Sequence, residues 1–210
     1  MVRFEISMSL DGYVAGPNPR PDEPLGDGGE RLHAWAYGLA SWRESHGRSG
    51  GESNIDDEIV AESIGKAGAT LMGRGMFGGG PGPWGDEPWE GWWGDDPPFE
   101  MPVFVVTHHA REPLTKGATT FTFVTEGVPA ALEQAQAAAG DEDVAVGGGA
   151  SVAQQLLQAG LIDEIKLHVV PLLLGGGVRL FDLGGVPVEL EKTRAVDSPT
   201  VTHLWYRVVR

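Results

Sequence analysis

The segment from Glu142 to Pro171, EDVAVGGGASVAQQLLQAGLIDEIKLHVVP, restricts the fold more than any other part of the chain. It reads as an apolar strand at 143–147, a helix at 151–160 and a second strand over 162–175. Strand, helix and strand in succession indicate an α/β layer fold with a mainly parallel sheet. Three consecutive glycines, Gly147 to Gly149, occupy the first junction. Glycines weaken any regular element that contains them, so something must approach this bare backbone closely.

The rest of the chain repeats the alternation. VRFEISMSL is a first strand, broken by DGYVAGPN, and the Pro/Asp/Gly-rich stretch 20–29 is a loop. Leu32, Trp35, Ala36, Leu39 and Trp42 recur at helical spacing and predict one amphipathic helix over 30–46. A second helix starts at Asn54, a candidate N-cap, with Asp56, Asp57 and Glu58 at the positive end of its dipole. ATLMG, VFVVTHH and TTFTFVT read as strands, and GVPAALEQAQAAAG as a helix with Pro129 in its first turn and Gly140 past its end. Between them, about 75–101 is an irregular Gly/Trp/Pro-rich excursion that holds four of the seven tryptophans. Tryptophan more often packs than binds, so the excursion is expected to anchor against the core edge. VPVELEKTRAV and TVTHLWYRVV close the chain as a hairpin, giving the sheet an antiparallel edge. No linker is evident, and one domain over 1–210 is expected.

Charge and composition remove several function classes. Acids outnumber bases 30 to 15, a net charge of −15, which disfavours nucleic acid and anionic membranes. There is no cysteine, hence no disulfide, thiolate nucleophile or thiolate metal site. No run approaches the roughly 20 apolar residues of a membrane span, and the N-terminus alternates instead of forming a signal, so a cytoplasmic protein is expected. No His/Asp/Glu group has metal-ligand spacing, and no metal is expected.

In an open parallel sheet, ligands bind beyond the carboxyl ends of strands. Three junctions qualify: Gly73-Arg74, Thr107-His108-His109, and Gly147 to Gly149. Glycine-lined strand-to-helix turns present backbone N–H groups to an anion, most often phosphate. Arg74, Arg111 and the histidines could add anion-binding groups. The third junction lacks the Lys-Ser/Thr of a P-loop, and it has Val152 where a dinucleotide fingerprint requires glycine.

The motifs MSLDGYVAG, LHAW, LMGRGMF, PWGDDPPF, VFVVTHH and VGGGASVAQQLLQAGLIDEIKLHVVPLLLGGGVRLF together resemble the dihydrofolate-reductase-like family. Within it, they are most similar to stand-alone proteins like the reductase domain of the bifunctional riboflavin-biosynthesis deaminase/reductase. The resemblance implies a three-layer fold: a mostly parallel mixed sheet with helices on both faces and an NADPH site across the strand ends. It implies an NADPH-dependent reductase that passes a hydride to a small heterocyclic or carbonyl-type substrate, pterin-like or riboflavin-precursor-like. A non-catalytic nucleotide- or small-molecule-binding protein of the same fold is the alternative. Gly73 and Arg74 would face the cofactor phosphates, and Thr107, His108 and Arg111 the adenosine 2′-phosphate, with His109 as a helper. Gly147, Gly148, Gly149, Ala150, Ser151 and Val152 would lie along the pyrophosphate and nicotinamide ribose, and Ala15 against the carboxamide. Asp11 is the candidate proton donor, or else an Asx-turn residue before Gly12. His33 and Trp35 are candidate substrate contacts, although two residues apart on a helix they point to different faces. His168, inside a strand, reads more readily as a satisfied core histidine than as a catalyst. A homodimer through the C-terminal hairpin is expected, because exposed edge strands invite pairing.

Overall fold

The computed structural model describes residues 1–20 and 22–210. The strands are β1 (Val2–Ser9), β2 (Tyr13–Ala15), β3 (Ala67–Gly73), β4 (Pro102–Val106), β5 (Leu114–Lys116) and β6 (Thr119–Val124). They continue as β7 (Asp143–Gly148), β8 (Glu164–Val170), β9 (Val178–Arg179), β10 (Leu190–Asp197) and β11 (Thr202–Val208). The helices are α1 (Ala40–Ser45), α2 (Ile55–Ala61), α3 (Arg74–Phe77), α4 (Val128–Ala139) and α5 (Ala150–Gln158). Nine strands form one mixed sheet in the order β10-β11-β8-β1-β7-β3-β4-β6-β5, so the expected α/β class is observed. The chain divides into two compact units, Met1–Phe4 with Ala67–Asp163, and Glu5–Lys66 with Glu164–Arg210.

In the first unit β1, β7, β3, β4 and β6 pair in parallel, and β5 adds an antiparallel edge that the sequence reading missed. Alternation along TTFTFV turns Thr119, Phe121 and Phe123 inward. Met72, Phe77, Val103, Val105, Phe121 and Phe123 then form one buried cluster. Full burial of a side chain of this size is worth about 1.5–3 kcal/mol. Helix α4 has the expected Pro129 and Gly140 at its ends, and it buries Ala131, Leu132, Ala135 and Ala139 as one stripe.

In the second unit β8 pairs antiparallel with β11, and β11 with β10, confirming the C-terminal hairpin. Strand β8 stops at Val170, not at Gly175, because Pro171 has no N–H to donate. Leu172 N–H instead closes a tight turn onto the Val170 carbonyl at 2.7 Å. The single helix expected over 30–46 does not form. Its first part is a 3-10 turn, Gly29–Leu32, extended by i to i+3 bonds from His33 to Glu30, Ala36 to His33 and Leu39 to Ala36. Leu39 is extended (φ −73, ψ 145), and α1 begins only after it. A competing strand-like contact wins here: Glu52 N–H donates to Gly38 O at 2.8 Å, and Ala40 N–H to Glu52 O at 3.0 Å. Gly38 weakens the helical alternative by about 1 kcal/mol. Leu32, Ala36 and Leu39 are buried all the same. The loop expected over 20–29 contains Pro21, which lies outside the described residues.

Asn54 caps α2 as expected, its side-chain oxygen accepting from Asp56 N–H at 2.9 Å and Asp57 N–H at 3.1 Å. Asn54→Ala is therefore expected to cost about 0.5–2 kcal/mol in urea unfolding. An unchanged midpoint would show that the cap contributes nothing.

Candidate functional site

The three strand ends singled out in the sequence lie on neighbouring strands of the first unit, β4, β3 and β7. At the end of β7 each glycine has a different physical reason. Met72 of β3 pairs with Gly148 while Leu71 pairs with Val146, so Gly147 is the extra residue of a bulge. A Cβ there would stand 3.2 Å from the Thr70 methyl. Gly148 has φ +124, which L side chains rarely adopt, and its peptide to Gly149 is cis. Gly149 is the N-cap of α5, makes no side-chain cap, and has open space where its Cβ would be. Next to it, a Cβ on Gly73 would press on Val152 at 3.0 Å, whereas one on Gly75 would meet nothing. Val152 is buried, so it packs the end of β3 and does not face outward. The outward positions are thus the half-buried Gly149 and the exposed Ser151 and Gly75, while Ala150 between them is buried.

Arg74 is committed differently from what the sequence suggested. Its Nε donates to Gly78 O at 2.9 Å, Nη2 to Gly79 O at 3.0 Å, and Nη1 to Thr107 Oγ1 at 3.3 Å. It staples the glycine loop behind α3, itself only four residues long. Thr107 is buried, and its hydroxyl also accepts from His109 N–H at 3.2 Å, so that hydroxyl organises the turn. His108 is exposed. Arg111 gives one Nη1 bond to Trp89 O at 2.6 Å. Both guanidiniums lie over the indole of Trp84, Arg74 at 3.1 Å and Arg111 at 4.6 Å from the ring centre. Burial first, then the charge of Arg111, pulls the Arg74 pKa down.

Trp84 belongs to the irregular excursion, which is an anchor as expected. Trp84, Trp89 and Trp93 pack on the Phe77 cluster. Trp89 Nε1 donates to Phe77 O and Trp92 Nε1 to Met76 O, both at 2.9 Å, so indoles satisfy carbonyls at the end of α3. Gly78, at φ +92, is required because a Cβ would come within 2.6 Å of the Trp92 ring.

Asp11, Ala15, His33 and Trp35 belong to the second unit. Ala15 ends β2, where it pairs with Val178 of β9. The Asp11 carboxylate accepts from Ser9 Oγ at 2.6 Å, Gly175 N–H at 2.7 Å and Leu174 N–H at 3.1 Å. The Ser9 bond above all, and then the two main-chain donors, hold its pKa below the usual carboxylate range. Burial, helped by the charge of His168 and opposed by Glu30, draws the His33 pKa down.

Trp35 covers a buried polar chain that the sequence did not disclose. Its Nε1 donates to Ser7 Oγ at 3.1 Å, and its ring lies 4.8 Å from His168 and 5.2 Å from His203. Nδ1 of His168 faces Nδ1 of His203 at 2.6 Å. At the outer ends, His203 Nε2 meets Asp56 Oδ1 and His168 Nε2 meets Glu5 Oε1, both at 2.9 Å. Lys166 Nζ donates to the same Glu5 oxygen at 2.9 Å, to Ile59 O at 2.9 Å and to Ser63 Oγ at 2.6 Å. Burial opposes ionisation of Glu5, yet the His168 bond and the charges of Lys166 and His168 bring its pKa down to about 2.

Comparison with known proteins agrees with this architecture. The family described as RibD C-terminal domain matches residues 1–204. The chain belongs to that family. Among solved structures, a putative riboflavin biosynthesis protein from Shewanella sp. PV-4 is 22% identical, with TM-score 0.65 over 100% of this chain and 99% of that one. Acinetobacter baumannii RibD is 16% identical, with TM-score 0.60 over 100% of this chain and 58% of that one. Dihydrofolate reductase from Enterococcus faecalis, complexed with NADP(H), is 14% identical, with TM-score 0.50 over 99% and 96%. No curated protein matches the sequence significantly.

In this RibD-type domain the Asp11 carboxylate ties Ser9 to the main chain at Leu174 and Gly175, contacts that differ from the Asx-turn expected before Gly12. A carboxylate with three donors and a lowered pKa is ionised at neutral pH. Two hollows in the surface, of about 300 and 360 Å³, are lined by residues other than the site residues named above. Among the described residues no helix is long and apolar enough to cross a membrane.

Asp11→Asn is expected to unfold at a lower temperature than the wild type at pH 7. Because the folded pKa is depressed, that gap should close as pH falls below the usual carboxyl value, about 3.9. A gap independent of pH would remove the ionised clamp.

Proposed function

We propose that this RibD-type domain is an NADPH-dependent reductase acting on a small heterocyclic or carbonyl-type substrate, pterin-like or riboflavin-precursor-like. The observation that supports it most is the strand-end turn at Gly149. This N-cap is open, no side chain caps α5, and the adjacent Gly75 is equally bare. Such a surface suits a pyrophosphate, which accepts from backbone N–H groups and is favoured by the helix dipole. The Arg74 and Arg111 charges suit the additional phosphate of NADPH, in a chain that is otherwise strongly acidic.

In this reading the bound nicotinamide supplies the hydride. Gly149, Ala150 and Ser151 hold the dinucleotide by main-chain groups. Arg111, with donors beyond its single bond to Trp89 O, takes the 2′-phosphate beside the exposed His108. Arg74 and Thr107 support Arg111 and the loop, since their polar atoms are engaged within the chain. Asp11 is assigned no proton transfer, and solvent is the proton source. We further place the domain in the cytoplasm as a homodimer. Strand β10, the terminal strand of the sheet and exposed along nearly all its length, supports pairing at that edge.

The clamped Asp11 favours one second reading, a nucleotide-binding protein without turnover. Tight NADPH binding with no oxidation across pterin and pyrimidine substrates would select it.

Calorimetric titration with NADPH and NADH tests the cofactor assignment. Arg111→Ala is expected to weaken NADPH about tenfold or more and NADH little, roughly the loss of one charge-assisted bond. Equal losses would remove Arg111 from the 2′-phosphate, and no nucleotide binding at millimolar concentration would end the reductase reading. Sedimentation at micromolar concentration is expected to give a dimer, and a monomer would refute the edge pairing.

A further inference from the structure

The buried chain Asp56, His203, His168, Glu5 fixes its own number of protons. Each of its three contacts needs one hydrogen between the paired atoms. The outer two contacts end on carboxylate oxygens. Glu5 Oε1 already accepts from Lys166, and its low pKa leaves it no proton to give. His168 Nε2 must therefore be an N–H donor, and with Asp56 as a carboxylate so must His203 Nε2. The central contact joins two ring nitrogens, so one must carry hydrogen and the other must not. That makes three protons on four ring nitrogens, one more than two neutral imidazoles hold.

We propose that His168 and His203 act as one receptor for a single shared proton, and that this proton confines the stability of the second unit, with Trp35 resting on both rings, to a pH range centred near neutrality. The surroundings balance the charge. Asp56 from α2 and Glu5 from β1 are the anions; Lys166 from β8 and the shared proton are the cations. His33 faces the pair from the 3-10 segment and is drawn toward its neutral form. Burial, only partly offset by Asp56, lowers the His203 pKa. His203 and His168 are almost completely buried, so a missing or extra proton cannot be compensated by water.

The sign of the pH dependence follows from the proton count. In the unfolded chain two imidazoles of pKa near 6.5 carry four protons well below that pH and two well above it. The folded pair carries three. Folding thus releases a proton in acid and takes one up in alkali, and the pair contributes most to stability at about pH 6.5.

Asp56→Asn tests this directly, because an amide can reverse the outer bond. Its NH₂ donates to His203 Nε2, His203 Nδ1–H donates to His168 Nδ1, and His168 Nε2–H still donates to Glu5. All three bonds then form with two protons and no imidazolium. Long-range proton–nitrogen NMR on ¹⁵N-histidine protein, assigned with His203→Gln, is expected at pH 7 to show three ring N–H groups on this pair in the wild type and two in Asp56→Asn. Between pH 5 and 8, the wild-type advantage in the folding constant over Asp56→Asn should shrink about tenfold per pH unit. Two neutral rings in the wild type, or parallel stability profiles, would overturn the proposal. If Asp56→Asn does not fold, the wild-type spectrum alone decides.

Discussion

The close approach of β3 and β7 is the constraint on which the strand-end geometry depends. Two parallel strands finish side by side, and each ends in residues without side chains. Gly147 bulges against Thr70, and Gly73 leaves room for Val152, so α5 starts immediately beside the end of β3. A Cβ at Gly73 would crowd the Val152 side chain of α5 at 3.0 Å. The missing third glycine of a dinucleotide fingerprint is thereby explained. Val152 is turned into the sheet, and the close contact is made on the opposite strand by Gly73.

A second device maintains that surface from the side. The excursion between α3 and β4 would be an unsupported loop by composition, yet its indoles form part of the core and bond the carbonyls that a one-turn helix leaves open. Trp84 holds the two arginines on its ring, and Arg74 returns hydrogen bonds to the glycine loop. Cations, aromatic rings and glycines in this segment therefore depend on one another.

Period and punctuation made much of the fold legible in the sequence. β7, α5, α4 with Pro129 and Gly140, the Asn54 cap and the closing hairpin all follow local rules that tertiary contacts reinforce. The helix expected over 30–46 failed because a non-local partner, Glu52, captured the backbone around Gly38. No local pattern carries that information. The site was legible as a set of junctions but not as a set of contacts. Arg74 and Thr107 stand at the expected strand ends, while their polar atoms turn inward to partners that only the folded chain supplies. Glu5, Asp56, His168 and His203 are dispersed through the sequence and meet only when β1, β8, β11 and α2 assemble.

The central claim is that a phosphate-bearing dinucleotide lies on the bare backbone between β7 and α5. Backbone amide NMR during NADPH titration tests it most directly. The amides of Gly149, Ala150 and Ser151 should shift with the ligand, together with Gly75 and the Arg111 side chain. Saturable shifts confined to other parts of the chain, or none at all, would contradict it.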